Sequence, residues 1–206
     1  MRIERRFPLS STNLKNYNNP LIIMALESES QGEIEKLNIP IVFSGVGKIN
    51  AAVAMVEGIL KFKPDLVLNL GSAGSSFFKT GQVIQVVQAR QKDMDVSPLG
   101  FPLGVTPMEE DGGDIDLIDF QTKYAKGRCG TGDTFETQKP KLDCDLVDME
   151  LYAIAKVCKR YKIPLLSLKY ITDGADGNSH VDWSVNLLNG AIALRNAYQL
   201  AIGEKM

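Results

Sequence analysis

Three short apolar runs, each halted by a polar or glycine-rich turn, limit the fold more than any other feature of the sequence. Pro20-Leu21-Ile22-Ile23-Met24-Ala25-Leu26 stops at Glu27-Ser28-Glu29-Ser30. Ile39-Pro40-Ile41-Val42-Phe43-Ser44 stops at Gly45-Val46-Gly47, and Asp65-Leu66-Val67-Leu68-Asn69-Leu70 stops at Gly71-Ser72-Ala73-Gly74. Runs this short with few polar breaks suit strands buried on both faces. Between the second and third runs the period changes. Ile49, Ala52, Val53, Val56, Ile59 and Leu60 recur at three- and four-residue steps, which is one face of an amphipathic helix, and Lys63-Pro64 stops it. Strand, helix, strand predicts a parallel pair inside an α/β sheet.

Further along, Gly81–Ala89 alternates in part and predicts a longer strand, and Lys126–Thr134 reads as another. The proline- and glycine-bearing stretch from Asp93 to Leu117 reads as a long surface loop, a kind of segment that is often functional. Val147–Tyr161 predicts a helix with Glu150, Ile154, Val157, Cys158 and Tyr161 on one side. Ile163–Ile171 predicts a strand ending at Thr172-Asp173-Gly174-Ala175-Asp176, and a last helix runs from near Asp182 or Ser184 to Ile202. The Ser/Thr/Asn-rich stretch from Pro8 to Pro20 makes residues 1–19 an irregular lead-in to a single domain over 20–206. The length of 206 residues fits one such domain.

Composition narrows the chemistry. With 23 Lys+Arg against 25 Asp+Glu, the net charge is -2, which disfavours a nucleic-acid backbone as partner. There is one histidine, His180, and the cysteines are Cys129, Cys144 and Cys158. None pairs at metal-ligand or C-x-x-C spacing, so no metal or redox pair is expected. Three cysteines read as reduced thiols, in keeping with a cytoplasmic protein. No apolar run approaches the ~20 residues of a membrane helix, and no targeting segment is visible, so no membrane partner is expected. An enzyme built this way, with no cofactor, would have to rely on carboxylates.

Several polar residues fall just past strand ends, namely Glu27, Glu29, Ser72 and Asp173. Ligands of open α/β sheets bind at that edge. Each motif also has a plain structural reading. Gly45-Val46-Gly47-Lys48-Ile49-Asn50 lacks the third glycine of a dinucleotide loop and suits a tight strand-to-helix turn. Gly71-Ser72-Ala73-Gly74 lacks the spacing of a nucleophile elbow, and only His180 could serve it as base. Asp148 and Glu150 would complement a helix macrodipole, and Asp173 and Asp176 suit turn or cap positions.

Taken in order, four segments carry a resemblance: Ser44-Gly45-Val46-Gly47-Lys48-Ile49-Asn50-Ala51-Ala52, Leu68-Asn69-Leu70-Gly71-Ser72-Ala73-Gly74, Val147-Asp148-Met149-Glu150, and Ile171-Thr172-Asp173-Gly174-Ala175-Asp176. The chain resembles the nucleoside phosphorylase/nucleosidase superfamily, and within it the methylthioadenosine/S-adenosylhomocysteine nucleosidases. That resemblance implies a three-layer αβα sandwich around a central mixed β-sheet. It implies water attacking C1′ of a purine nucleoside through an oxocarbenium-like transition state, with release of adenine. Asp173 matches the acid that protonates the departing purine, and Glu29 matches the residue that activates water. Glu150 matches the carboxylate that holds the ribose hydroxyls, with Met149 packed on the sugar. Ser72 matches a serine that orients the acids, Phe135 the aromatic stacked on the purine, and Trp183 an aromatic near the 5′ side. Val147, Asp148 and Lys169 complete the substrate-binding set.

The resemblance also implies a homodimer, with Leu99 and Pro107 reaching a neighbouring site. Phosphorylases of the superfamily carry an arginine where this chain has Asn69, which favours water over phosphate as nucleophile. The chain departs from its apparent relatives at three places. Lys169 replaces an arginine, Glu136 stands where an apolar residue is usual, and the interval from Ser30 to Ser44 is short. Those departures keep two alternatives in view: a nucleosidase or phosphorylase for another nucleoside such as futalosine, and a non-catalytic nucleoside-binding relative.

Overall fold

A computed structural model of the chain describes residues 14–109, 113–136, 140–174 and 179–203, without the side chains of 179–185. In chain order its main elements are β1 (Pro20–Met24), α1 (Glu27–Ser30), β2 (Ile41–Phe43), α2 (Lys48–Phe62), β3 (Leu66–Gly74), β4 (Val83–Gln91), β5 (Ile115–Asp116), β6 (Ala125–Thr131), β7 (Leu146–Asp148), α3 (Leu151–Tyr161), β8 (Leu165–Asp173) and α4 (Ser179–Ala201). The three opening apolar runs form β1, β2 and β3. All are parallel, with β1 between the other two and α2 as the crossover.

The fold is α/β with a mixed sheet. Helices α2 and α3 pack on one apolar cluster with Leu21, Val67, Ile84 and Leu165, while α4 packs on a second with Ile22, Leu68, Leu166 and Tyr170. Alternate residues of β1, β3 and β8 thus face opposite helical layers, the two-sided burial that their unbroken apolar sequence requires.

The sheet departs from the open layer of a plain sandwich. β8 pairs in parallel with β3 and antiparallel with β4, β4 pairs with β6, β6 with β7, and β7 returns to β3 at Gly74–Val147. Five strands thereby close a ring, and β2 and β5 are left as short edges. Register shifts at Ala73/Gly74 and Val86/Gln88 supply the local bends that closure demands.

Two helices differ from their sequence reading. α3 begins at Leu151, because residues 146–148 are taken into β7. In α2 the buried residues are Ala51, Met55, Gly58 and Ile59, whereas Ile49, Val53 and Leu60 are 77%, 54% and 63% exposed. A Cβ on Gly58 would lie 3.1 Å from Leu21 and 3.3 Å from Val42, so the helix approaches the sheet through its small residues. Of the six residues read as the apolar face, three are exposed, Ala52 and Val56 are half-buried, and Ile59 alone is buried.

The 93–117 stretch holds a 3-10 turn at Ser97–Leu99 and the short β5. The irregular lead-in falls largely on residues outside the described set. From Leu14 onward it packs down, with Leu14 buried and the Asn18 and Asn19 amides donating to Asp65. Among the described residues no helix is long and apolar enough to cross a membrane.

Candidate active site

Three neighbouring parallel strands deliver the central groups. β1 runs into α1, which carries Glu29; β3 ends in Ser72, Ala73 and Gly74; β8 ends in Asp173. The β3/β8 register sets Gly71 opposite Lys169 and Ser72 opposite Tyr170, then skips a residue so that Gly74 faces Asp173. Glu29 is buried, and its Oε1 accepts from the Ser72 hydroxyl at 2.6 Å and the Ser72 amide at 3.1 Å. Its Oε2 accepts from the Leu26 amide at 3.2 Å, so the carboxylate is held from both sides. Asp173 is buried as well, and its Oδ2 accepts from the Thr172 hydroxyl at 2.8 Å. Glu27 instead points outward.

Further lining groups come from β7, which pairs with the end of β3, and from the turn into α3. Asp148 accepts from the Thr131 hydroxyl at 2.6 Å and from the Leu151 amide at 3.0 Å, which satisfies the first amide of α3. Its Oδ2 also lies 2.8 Å from the Lys169 ammonium, and both side chains are almost wholly buried. Burial pulls the Lys169 pKa down, but the negative charge of Asp148 outweighs it and the net direction is up. Lys169 is therefore a fixed cation.

Glu150 sits beside this pair and accepts from the Gly47 amide at 2.9 Å. Gly47 has φ +97°, a conformation that only glycine takes easily, so the Gly-Val-Gly turn aims an amide into the site. Burial first, and the charge of Asp148 second, push the Glu150 carboxyl up to about 7. Lys169 and the Gly47 amide hold it lower than it would otherwise be.

These groups surround one cavity of about 280 Å³. Glu29, Ser72, Phe135, Val147, Asp148, Met149, Glu150, Lys169 and Asp173 all line it. Trp183 belongs to α4, but its side chain lies outside the described residues, as do those of His180 and Asp176. Leu99 is exposed and Pro107 half-buried, and neither lines the cavity within a single chain. Asn69, Thr172 and Glu136 also line it. Asn69 accepts from the Ser167 hydroxyl at 3.0 Å and donates to the Ile23 carbonyl at 3.3 Å.

Sequence reasoning missed Thr131, which binds Asp148 and also accepts from the Tyr152 amide at 2.9 Å. Its signal was available: it is a polar residue at a strand end, like Ser72 and Asp173. It also missed Lys92, a lysine buried beneath the Phe135 segment, which periodicity cannot flag. Among the described residues no three His, Cys, Asp or Glu side chains gather as a metal site would require.

Five acids and one lysine line the cavity, and no arginine does among the described residues. Such a lining suits a ligand that carries hydroxyls and develops positive charge, and it is poorly suited to a phosphate dianion.

The sequence matches the phosphorylase superfamily over residues 16–202. It is 33% identical over 176 residues to the 5′-methylthioadenosine/S-adenosylhomocysteine nucleosidase of Buchnera aphidicola subspecies Acyrthosiphon pisum, covering 76% of each chain. It is 30% identical over 186 residues to the nucleosidase of the same name from Bacillus subtilis, covering 78% of this chain and 79% of that one. The fold superposes on that of the Helicobacter pylori nucleosidase crystallised with butyl-thio-DADMe-Immucillin-A, with a TM-score of 0.79 at 21% identity over 89% of this chain and 97% of the other. The native futalosine hydrolase of H. pylori superposes with the same TM-score and identity, over 89% and 96%. With the family's sequence pattern running through nearly all of the described chain and its fold built around this cavity, the protein belongs to the phosphorylase superfamily.

Proposed function

We propose that the protein hydrolyses the N-glycosidic bond of a purine nucleoside, with 5′-methylthioadenosine or S-adenosylhomocysteine as substrate and adenine as product. One observation carries this reading: Glu29 on α1 after β1, Ser72 at the end of β3 and Asp173 at the end of β8 are brought by three adjacent parallel strands to one carboxylate-rich cavity that Glu150 also lines. In this reading Glu29 takes the proton of the attacking water, and its two-sided tether fixes the acceptor oxygen. Asp173 gives a proton to the purine ring as the C1′–N9 bond breaks. Glu150, as the anion, accepts from the ribose hydroxyls and stabilises the growing positive charge on the sugar. Phe135 stacks on the base and Met149 packs on the sugar.

Water rather than phosphate is the nucleophile in this proposal. The uncharged Asn69 lines the cavity, and Lys169, the one lining cation among the described residues, is already paired with Asp148. The test is a panel of 5′-substituted purine nucleosides, futalosine included, assayed for free base with and without phosphate. Adenine release at a rate indifferent to phosphate is expected. Ribose-1-phosphate among the products would overturn hydrolysis, and base release from futalosine alone would move the substrate to that nucleoside.

We further propose a homodimer in the cytoplasm. The outward apolar residues Ile49, Val53 and Leu60, which share one side of α2, support it as a self-association face. Ile49→Asp combined with Val53→Asp is expected to halve the mass read by light scattering without lowering helical content. An unchanged mass would exclude this face.

A further inference from the structure

We propose that Lys92 is a positioning residue for ligand binding: its buried ammonium clamps the Thr134–Glu136 segment and so holds Phe135 at the mouth of the cavity. Lys92 follows β4 directly, and its amide donates to the Thr131 carbonyl at 2.9 Å, which fixes the root of the side chain. The side chain is 3% exposed. Its Nζ donates to the Thr134 carbonyl at 3.3 Å and to the Glu136 carboxylate. Those two acceptors flank Phe135 in the chain, so one ammonium grips the segment on both sides of the ring.

Two neighbours complete the device. Asp93 accepts from the Asp133 amide at 2.9 Å and from the Lys48 ammonium at 2.6 Å, which holds the start of the segment. Gly132 leaves room for the lysine stem, since a Cβ there would lie 3.0 Å from both Lys92 Cγ and Lys92 Nζ.

Phe135 is 46% exposed, so core packing does not hold it. An aromatic on a loop must be ordered before it can stack, and ordering it in advance lowers the cost of binding. A buried ion pair is a poor source of net stability, because an apolar pair of similar size does as well. The Lys92–Glu136 pair is better explained by what it holds in place.

The inference rests on the proposed function only in taking a purine base as the partner of Phe135. The test therefore uses free adenine, whose binding needs no turnover, alongside nucleoside cleavage. Lys92→Met with Glu136→Leu removes the pair and leaves no orphaned charge, so the fold should survive, as a near-unchanged melting temperature would verify. This double variant is expected to weaken adenine binding about tenfold by calorimetry, the scale of one lost base stack. It should raise KM more than it lowers kcat. Lys92→Arg should retain most of the affinity. Phe135→Ala should weaken binding similarly, and adding the double change to it should do nothing more, because the clamp acts through the ring.

Wild-type affinity in the pair-deleted variant would overturn the clamp. Additive losses with Phe135→Ala would overturn it too, since the pair would then touch the base directly. Wild-type protein that binds adenine yet cleaves no nucleoside would sink the proposed function and leave the clamp standing. Wild-type protein that binds no adenine would remove the base from Phe135 and the clamp with it.

Discussion

Asp173→Asn is expected to cut base release by about a hundred- to ten-thousandfold, the range that a positioned general acid contributes. Nucleoside affinity should stay within a few-fold. Asparagine has the size of aspartate and can still accept from the Thr172 hydroxyl, so the end of β8 and its packing are kept. It has no acidic proton to give to a ring nitrogen. Single-turnover measurements separate the two effects, because they read bond cleavage with substrate already bound. Calorimetry with the same nucleoside reads affinity. Turnover that survives the change would remove Asp173 from the acid's role, and a parallel collapse of affinity would make it a binding group.

Lys169→Met should damage both the fold and the site. It removes the partner of a buried carboxylate, and breaking such a pair typically costs about 3–5 kcal/mol. For a chain of this size that is a fall of about 6–20 °C in melting temperature. The loss also reaches Glu150. Burial and the charge of Asp148 already raise that carboxyl to about 7, against the pull of Lys169. A carboxyl raised on folding contributes stability that is complete below its ordinary value near 4.5 and is lost as pH climbs toward 7. Without Lys169 the window should extend upward.

The proposed reaction needs Glu150 as the anion, so kcat/KM of the wild type should rise as pH passes about 7. In Lys169→Met the same limb should shift to higher pH. Adding Asp148→Asn removes the orphaned charge and should restore much of the melting temperature. A variant with wild-type melting and an unmoved pH limb would show that Lys169 is neither a structural nor an electrostatic partner.

The sequence made the parallel β1–β3 unit legible because buried strands need unbroken apolar residues, and α2 stood between them with a helical period. The strand ends were legible for the same reason: an apolar run that stops at Glu29, Ser72 or Asp173 marks where the sheet gives way to solvent or ligand. The inner face of α2 was legible only at Ile59. Ala51 and Gly58 contribute little to a hydrophobic pattern, yet their small size is what lets the helix approach the sheet. The strand at 146–148 was hidden in a helical pattern because its three residues are set by long-range pairing with β3 and β6. The paired state of Lys92 and Lys169 was equally hidden, since charged residues inside a protein are identified by their partners, which lie 44 and 21 positions away at Glu136 and Asp148.

The closed ring has a consequence for how the molecule is made. β8 is the last strand among the described residues, and it joins β3, about a hundred positions earlier in the chain, to β4 on the other side. Until it docks, the ring is open, the Asp148 carboxylate has no lysine, and the proposed acid is absent. The pairings involved are among the most distant in the chain, a topology associated with slow folding. Recovered activity during refolding should therefore report the final assembly of the protein rather than any earlier collapse, and a nascent chain released short of β8 would carry the proposed water-activating Glu29 and its Ser72 partner without the proposed acid Asp173.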